Sequence, residues 1–152
     1  MSGLEIFGAA ASIPAILKVS KTIISMCRVC INSFDGDSSE FRVILIEIST
    51  LRGMTESLLY LTMLETDRSP LMSQLAAVVI PIEACEKALK ELVALLPVEV
   101  VSKSGKKSKF GKLDVTLAAM KWPPKSAKAK VLLQEIIQYK TTISLAFTAE
   151  IL

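Results

Sequence analysis

The stretch Pro81–Leu96, PIEACEKALKELVALL, decides the fold class of this chain. Its apolar residues Ile82, Cys85, Leu89, Leu92 and Leu96 recur at spacings of 3, 4, 3 and 4, which stacks them on one face of an α-helix. The other face carries Glu83 with Lys87 and Glu86 with Lys90, two i,i+4 pairs with the acid N-terminal to the base, the order that supports a helix. A helix with one apolar stripe is stable only against partners of the same kind.

The rest of the chain supplies such partners. Along EFRVILIEISTLRGMTESLLYLTMLE (40–65) the residues Phe41, Ile44, Leu45, Ile48, Leu51, Leu58 and Leu59 mostly fall three or four apart. The turn formers DGDSSE (35–40) precede them, with Ser38 or Ser39 placed to cap a helix starting near Glu40. TDRSP (66–70) breaks the pattern, and Pro70 suits the first turn of the next helix. Pro81, with no N–H to donate, is expected to kink or restart that helix. Further on, the pattern gives a short helix around Leu113–Met120, the interruption KWPPKS (121–126), and a long helix from about Ala127 with Leu132, Ile136, Tyr139, Ile143 and Phe147 as its stripe. No segment sustains a period of two. The chain reads as all-α: a helical bundle of four to five helices with an apolar N-terminal helix, in one domain over 1–152. A hydrophobic fraction of 51% with only 5% aromatics, and a mean hydropathy of +0.50, fit an aliphatic helical core.

The opening GLEIFGAAASIPAILKVSKTIISMC (3–27) is unusual because every charge from Lys18 to Arg28 is positive and only Glu5 precedes them. A secretory signal places its positive charge before the apolar run, so that reading fails. A membrane span fails on length: the uncharged runs Ile6–Leu17 and Ser69–Ile82 are 12 and 14 residues long, against about 18 needed to cross hydrocarbon. What is left is an ordinary core helix, or a helix packed in the core at rest that can transfer Leu4, Ile6, Phe7, Ile13, Ile16 and Leu17 to a bilayer. Lys18, Lys21, Ser25 and Arg28 lie 3, 4 and 3 apart, a polar stripe that can stay among lipid headgroups.

Charge is unevenly spread. Lys103 to Lys130 holds nine lysines and one acid, Asp114, a local net of +8, while the remainder carries nine positive and fourteen negative charges, a net of −5. The densest part is expected to form a basic loop over 97–112 between helices. Its five lysines, Lys103, Lys106, Lys107, Lys109 and Lys112, are candidates for lipid-headgroup binding, since each basic residue near an anionic leaflet is worth about 1 kcal/mol.

Other chemistries find little support. The chain has no histidine, which removes the common triads, His-bearing zinc sites and most general bases. GKKSKFGKL (105–113) departs from a phosphate-binding P-loop: Gly105 and Gly111 are five residues apart, and Leu113 stands where a Ser or Thr should bind magnesium. Cys27 and Cys30 form a CxxC on a helical pattern with only Cys85 besides, so the three read as buried free thiols rather than a metal site, in a reducing compartment. No arginine lies in the lysine patch, and Phe110 and Trp122 are its only aromatics, which leaves nucleic acid poorly served. The expectation is no enzyme, no cofactor and no metal.

Together the two ends of the chain resemble a family. The small-and-aliphatic opening GLEIFGAAASIPAILKVSKTI (3–23), and the closing KWPPKSAKAKVLLQEIIQYKTTISLAF (121–147) with its basic-Trp start, Lys-rich turn and paired leucines, are similar to the HeLo-like domains found in front of fungal STAND, or NLR-like, receptors. The Pro123-Pro124 pair and the long lysine segment depart from that pattern. The resemblance implies an effector domain that is cytoplasmic at rest, self-associates on activation, and induces regulated cell death by targeting or permeabilising the plasma membrane. It also implies a C-terminal nucleotide-binding or amyloid signalling module beyond this chain, which ends at FTAEIL (147–152) still in helical register. The other reading is a non-toxic helical module for protein–protein interaction or oligomerisation.

Overall fold

The computed structural model describes four helices, with side chains described over 11–32, 39–60, 77–96 and 122–146. They are α1 (Gly3–Ser33), α2 (Ser39–Leu64), α3 (Ser69–Leu95) and α4 (Lys107–Ala149), and the described residues contain no strand. The all-α bundle expected from the periodicity is the fold.

The stripes that predict the helices are the faces that pack. On α3, Ile82, Cys85, Leu89, Leu92 and Leu96 are all buried. On α2, Phe41, Ile44, Ile48, Leu51 and Leu58 are buried while Leu45 and Leu59 sit at the edge of the core. On α4, Leu132, Ile136 and Ile143 point inward and Tyr139 is half-buried. Of the two ion pairs expected outside α3, Lys90 to Glu86 closes at 2.7 Å. Glu83 and Lys87 are exposed and make no pair, in keeping with the small gain available to a solvated pair.

Helix α1 packs along both α2 and α3, and α4 packs along α3. Residues 34–38 can bridge at most about 18 Å, against about 46 Å for the length of α1, so α1 and α2, packed along each other, run antiparallel. Helices α2 and α4 meet through a thinner, more polar seam. Ser126 donates to Glu40, Lys140 donates to Glu47 and Thr50 at 3.1 Å each, and the Ser144 hydroxyl lies 3.0 Å from the Met54 sulfur. Contacts rising in register along both helices make α2 and α4 parallel.

The helices differ from the sequence pattern at three places. The break at KWPPKS does not divide the last part of the chain, because α4 runs through Pro123 and Pro124. Both prolines are exposed, so water can take the carbonyls that lose their N–H partners. On either side, tertiary contacts hold the helix: Trp122 is buried against Phe41 with ring centroids 4.9 Å apart, and Ser126 bonds to Glu40. The basic loop expected over 97–112 is likewise shortened, since 107–112 lies in the first turns of α4; lysine tolerates helix well and Gly111 alone does not end one. Residues 97–106 lie outside the described residues. Pro81 sits within α3 without restarting it.

Candidate functional site

Helix α1 has two chemically distinct faces. Inward it places Ile13, Ile16, Ile23, Ile24, Met26, Cys27 and Cys30, all buried. Outward it places Lys18, Lys21, Ser25 and Arg28, all exposed and in one row, as their spacing predicts. Of the residues proposed for membrane insertion, Ile13 and Ile16 are buried and Leu17 is half-buried. The side chains of Leu4, Ile6 and Phe7 lie outside the described residues. So do Lys103 and Lys106 altogether, and the side chains of Lys107, Lys109 and Lys112, whose backbone is on α4.

The attachment of α1 to the bundle mixes strong and weak points. Ser12 is buried and bonds to Glu86 of α3. Burial there raises the Glu86 pKa, but hydrogen bonds from Lys90 and Ser12 and the charge of Lys90 outweigh it and hold the carboxyl below its ordinary value. Ser20 is the opposite case: it is fully buried, and its hydroxyl has no hydrogen-bond partner among the described residues. Pro14, inside α1, removes one more backbone donor.

Cys27, Cys30 and Cys85 are free and buried. Burial pushes each thiol up to about 12, with the neighbouring Cys30 adding to the effect at Cys27. A thiol held neutral in this way is a poor nucleophile and a poor metal ligand. Among the described residues no three acidic or cysteine side chains come together as a ligand set.

Described residues line two concavities at the surface. One, of about 270 Å³, lies between α2 and α4 over Ile44, Trp122, Ala129 and Leu133, with Val43 and Lys130 at its lip. The other, of about 250 Å³, lies between α1 and α2 and is lined by Ile24, Arg28, Ser49, Arg52, Gly53 and Glu56. Arg52 Nε donates to Glu56 Oε1 at 2.9 Å. Arg28 makes no ion pair among the described residues. A Cβ placed on Gly53 would meet nothing within 4 Å.

Arg28 emerges from sequence as one cation in a row on α1. That it shares a cleft with Arg52, Ser49 and Gly53 does not, because the antiparallel packing of α1 on α2 brings them together. The one sequence signal was Gly53 itself, a glycine in mid-helix where helix propensity argues for almost anything else. No helix among the described residues is long and apolar enough to cross a membrane. No protein-family model, no curated protein and no solved structure matches this chain.

Proposed function

We propose that this chain is a membrane-targeting effector domain of the HeLo-like kind that its two ends resemble. In this reading it is the N-terminal part of a fungal NLR-like immune or incompatibility receptor, and it induces regulated cell death by oligomerising and permeabilising the plasma membrane through α1. The observation that carries the reading is the two-faced α1, an apolar row stored in the core and a cationic row already at the surface.

The magnitudes make conditional release reasonable. Burial of Ile13, Ile16, Ile23, Ile24 and Met26 contributes about 7–15 kcal/mol at 1.5–3 each, as much as the net stability of about 5–15 kcal/mol of a whole domain. Spontaneous release is therefore rare. A bilayer accepts the same apolar area, so the balance shifts when an anionic surface or further copies supply the difference. The unsatisfied Ser20 hydroxyl subtracts about 1–3 kcal/mol from the packed state. The short apolar run favours interfacial insertion or an assembly of several copies over a single span.

The test is flotation and dye leakage with anionic and neutral vesicles. The comparison is wild type against Ile6→Glu/Phe7→Glu and against Lys18→Gln/Lys21→Gln/Arg28→Gln, each checked for helicity and melting. Anionic-selective leakage that both variants lose supports the mechanism. A folded wild type that neither floats nor leaks, even when artificially oligomerised, refutes it. The interaction-module reading would then stand on a different observation: Val43, Ile46 and Tyr60 of α2, and Val131 and Leu145 of α4, are half or more exposed.

A further inference from the structure

We infer that the cleft between α1 and α2 is a binding site for a phosphate group, with a phosphomonoester dianion preferred over a phosphodiester. As a lipid-headgroup site the inference rests on the membrane reading above; as a site for phosphate held by two guanidiniums it does not.

Two arginines line the cleft. Arg28 reaches the cleft from α1 and Arg52 from α2. Guanidinium groups are planar forks whose paired N–H donors match two oxygens of a tetrahedral oxyanion. Arg52 is held by Glu56 through Nε at 2.9 Å, which leaves both of its Nη groups to donate. Arg28 is exposed and takes part in no ion pair among the described residues. Ser49 adds a hydroxyl that can donate to a third oxygen. The buried Ile24 backs the cleft with an apolar wall.

Gly53 lies in the same lining. Nothing in the bundle requires a glycine there, because a Cβ would meet no atom within 4 Å, and a mid-helix glycine weakens a helix relative to alanine. What the missing side chain provides is open space beside Arg28, Arg52 and Ser49, where an anion can approach. Two cations and Glu56 give the lining a net of +1, which suits a dianion better than a monoanion. The same count says that Glu56 both steadies Arg52 and opposes the ligand.

The experiment uses two probes. Inorganic phosphate is titrated into ¹⁵N-labelled protein while the arginine Nε–Hε resonances are followed. In parallel, binding is measured to phosphatidylcholine vesicles carrying either a phosphatidylinositol monophosphate or phosphatidylglycerol at matched surface charge. The expected result is saturable shifts at Arg28 and Arg52 and binding to the monoester vesicles about tenfold tighter or more. Arg28→Gln and Arg52→Gln each lose that preference while keeping the wild-type melt, and Gly53→Leu loses it with a melt at or above that of wild type; Glu56→Gln strengthens it. Shifts with inorganic phosphate but no monoester preference on vesicles assign the site to a soluble phosphate compound. Unmoved arginine resonances together with equal binding to both vesicle types overturn the inference, and so does a preference that survives in all three loss variants. Leakage from the phosphatidylglycerol vesicles contains no monoester, so it reports the membrane mechanism separately.

Discussion

If α1 leaves the bundle at a membrane with residues 4–17 inserted and the row from Lys18 to Arg28 kept among the headgroups, the thiols of Cys27 and Cys30, on either side of Arg28, pass from the core to the hydrated interface, and their alkylation rate becomes a direct readout. In the packed chain both thiols are pushed up from 9.0 to about 12. At about pH 8 the thiolate fraction falls from roughly one in ten to roughly one in ten thousand, a ~1000-fold loss of the reactive species. The alternative route, transient opening of the whole fold, is no faster: at about 5 kcal/mol only ~1 chain in 5000 is open. Both routes give protection of about a thousandfold or more in buffer. The assay is pulse alkylation followed by peptide mass spectrometry, with and without anionic vesicles at saturating lipid. The expected outcome is no fast thiol in buffer and two on the vesicles, at Cys27 and Cys30. Vesicle-bound protein whose Cys27 and Cys30 stay as protected as in buffer would refute release of this part of α1, whatever the leakage assay gives.

Three further outcomes follow from the same packing. Because the three thiols have folded pKa values near 12 against 9.0 unfolded, the neutral form is favoured in the native state. Stability is then full below about pH 9 and declines from about pH 9 to 12, by ~1.4 kcal/mol per thiol at about pH 10; urea melts of wild type and a Cys27→Ala/Cys30→Ala/Cys85→Ala variant should converge as pH rises. Ser20→Ala removes a buried hydroxyl that has no partner and should stabilise the bundle by about 1 kcal/mol, seen as a higher Tm and slower vesicle leakage; a lower Tm would mean that the hydroxyl is satisfied in solution. Leu89→Ala hollows out a fully buried position on α3 and should cost about 2–5 kcal/mol in chemical denaturation, and a loss under 1 kcal/mol would contradict the packing.

The legibility of this fold in its sequence depends on which forces are local. The 3-4 repeat from Ile82 to Leu96 could be read because each buried residue is set by its place on one helix, and burial followed that pattern at every position. The row Lys18, Lys21, Ser25, Arg28 was legible for the same reason, and all four are exposed. Proline was read less well. Its local cost is real, but at Pro123 and Pro124 the Phe41–Trp122 ring contact and the Ser126–Glu40 bond act across the bundle and hold α4 through the break. Such contacts join residues far apart in the chain and leave no spacing to detect. The Arg28–Arg52 cleft was hidden in the same way, since its members belong to two helices whose register only packing sets. Gly53 was visible, but its meaning was not, because an unfilled position has significance only once its surroundings are known.

The cleft and the release of α1 are thermodynamically opposed, and that opposition can be measured. Arg28 rides on α1 and Arg52 on α2, so a phosphate group bridging them binds only while α1 is docked. A ligand that binds one state alone stabilises it by RT ln(1 + [L]/Kd), about 2.7 kcal/mol at a hundredfold excess over Kd. Inorganic phosphate at that level should therefore lower the ratio of released to docked α1 by about a hundredfold, read as slower alkylation of Cys27 and Cys30 on phosphatidylglycerol vesicles. Chloride at matched ionic strength controls for screening of Lys18 and Lys21, which weakens attraction to the surface without touching the cleft. Arg28→Gln/Arg52→Gln should abolish the difference between the two salts. On vesicles carrying a phosphomonoester lipid, the same linkage predicts more bound protein but less leakage per bound chain, because the headgroup that recruits the domain also holds α1 against α2. Equal slowing by phosphate and chloride would separate the two elements and leave α1 to answer to the bilayer alone.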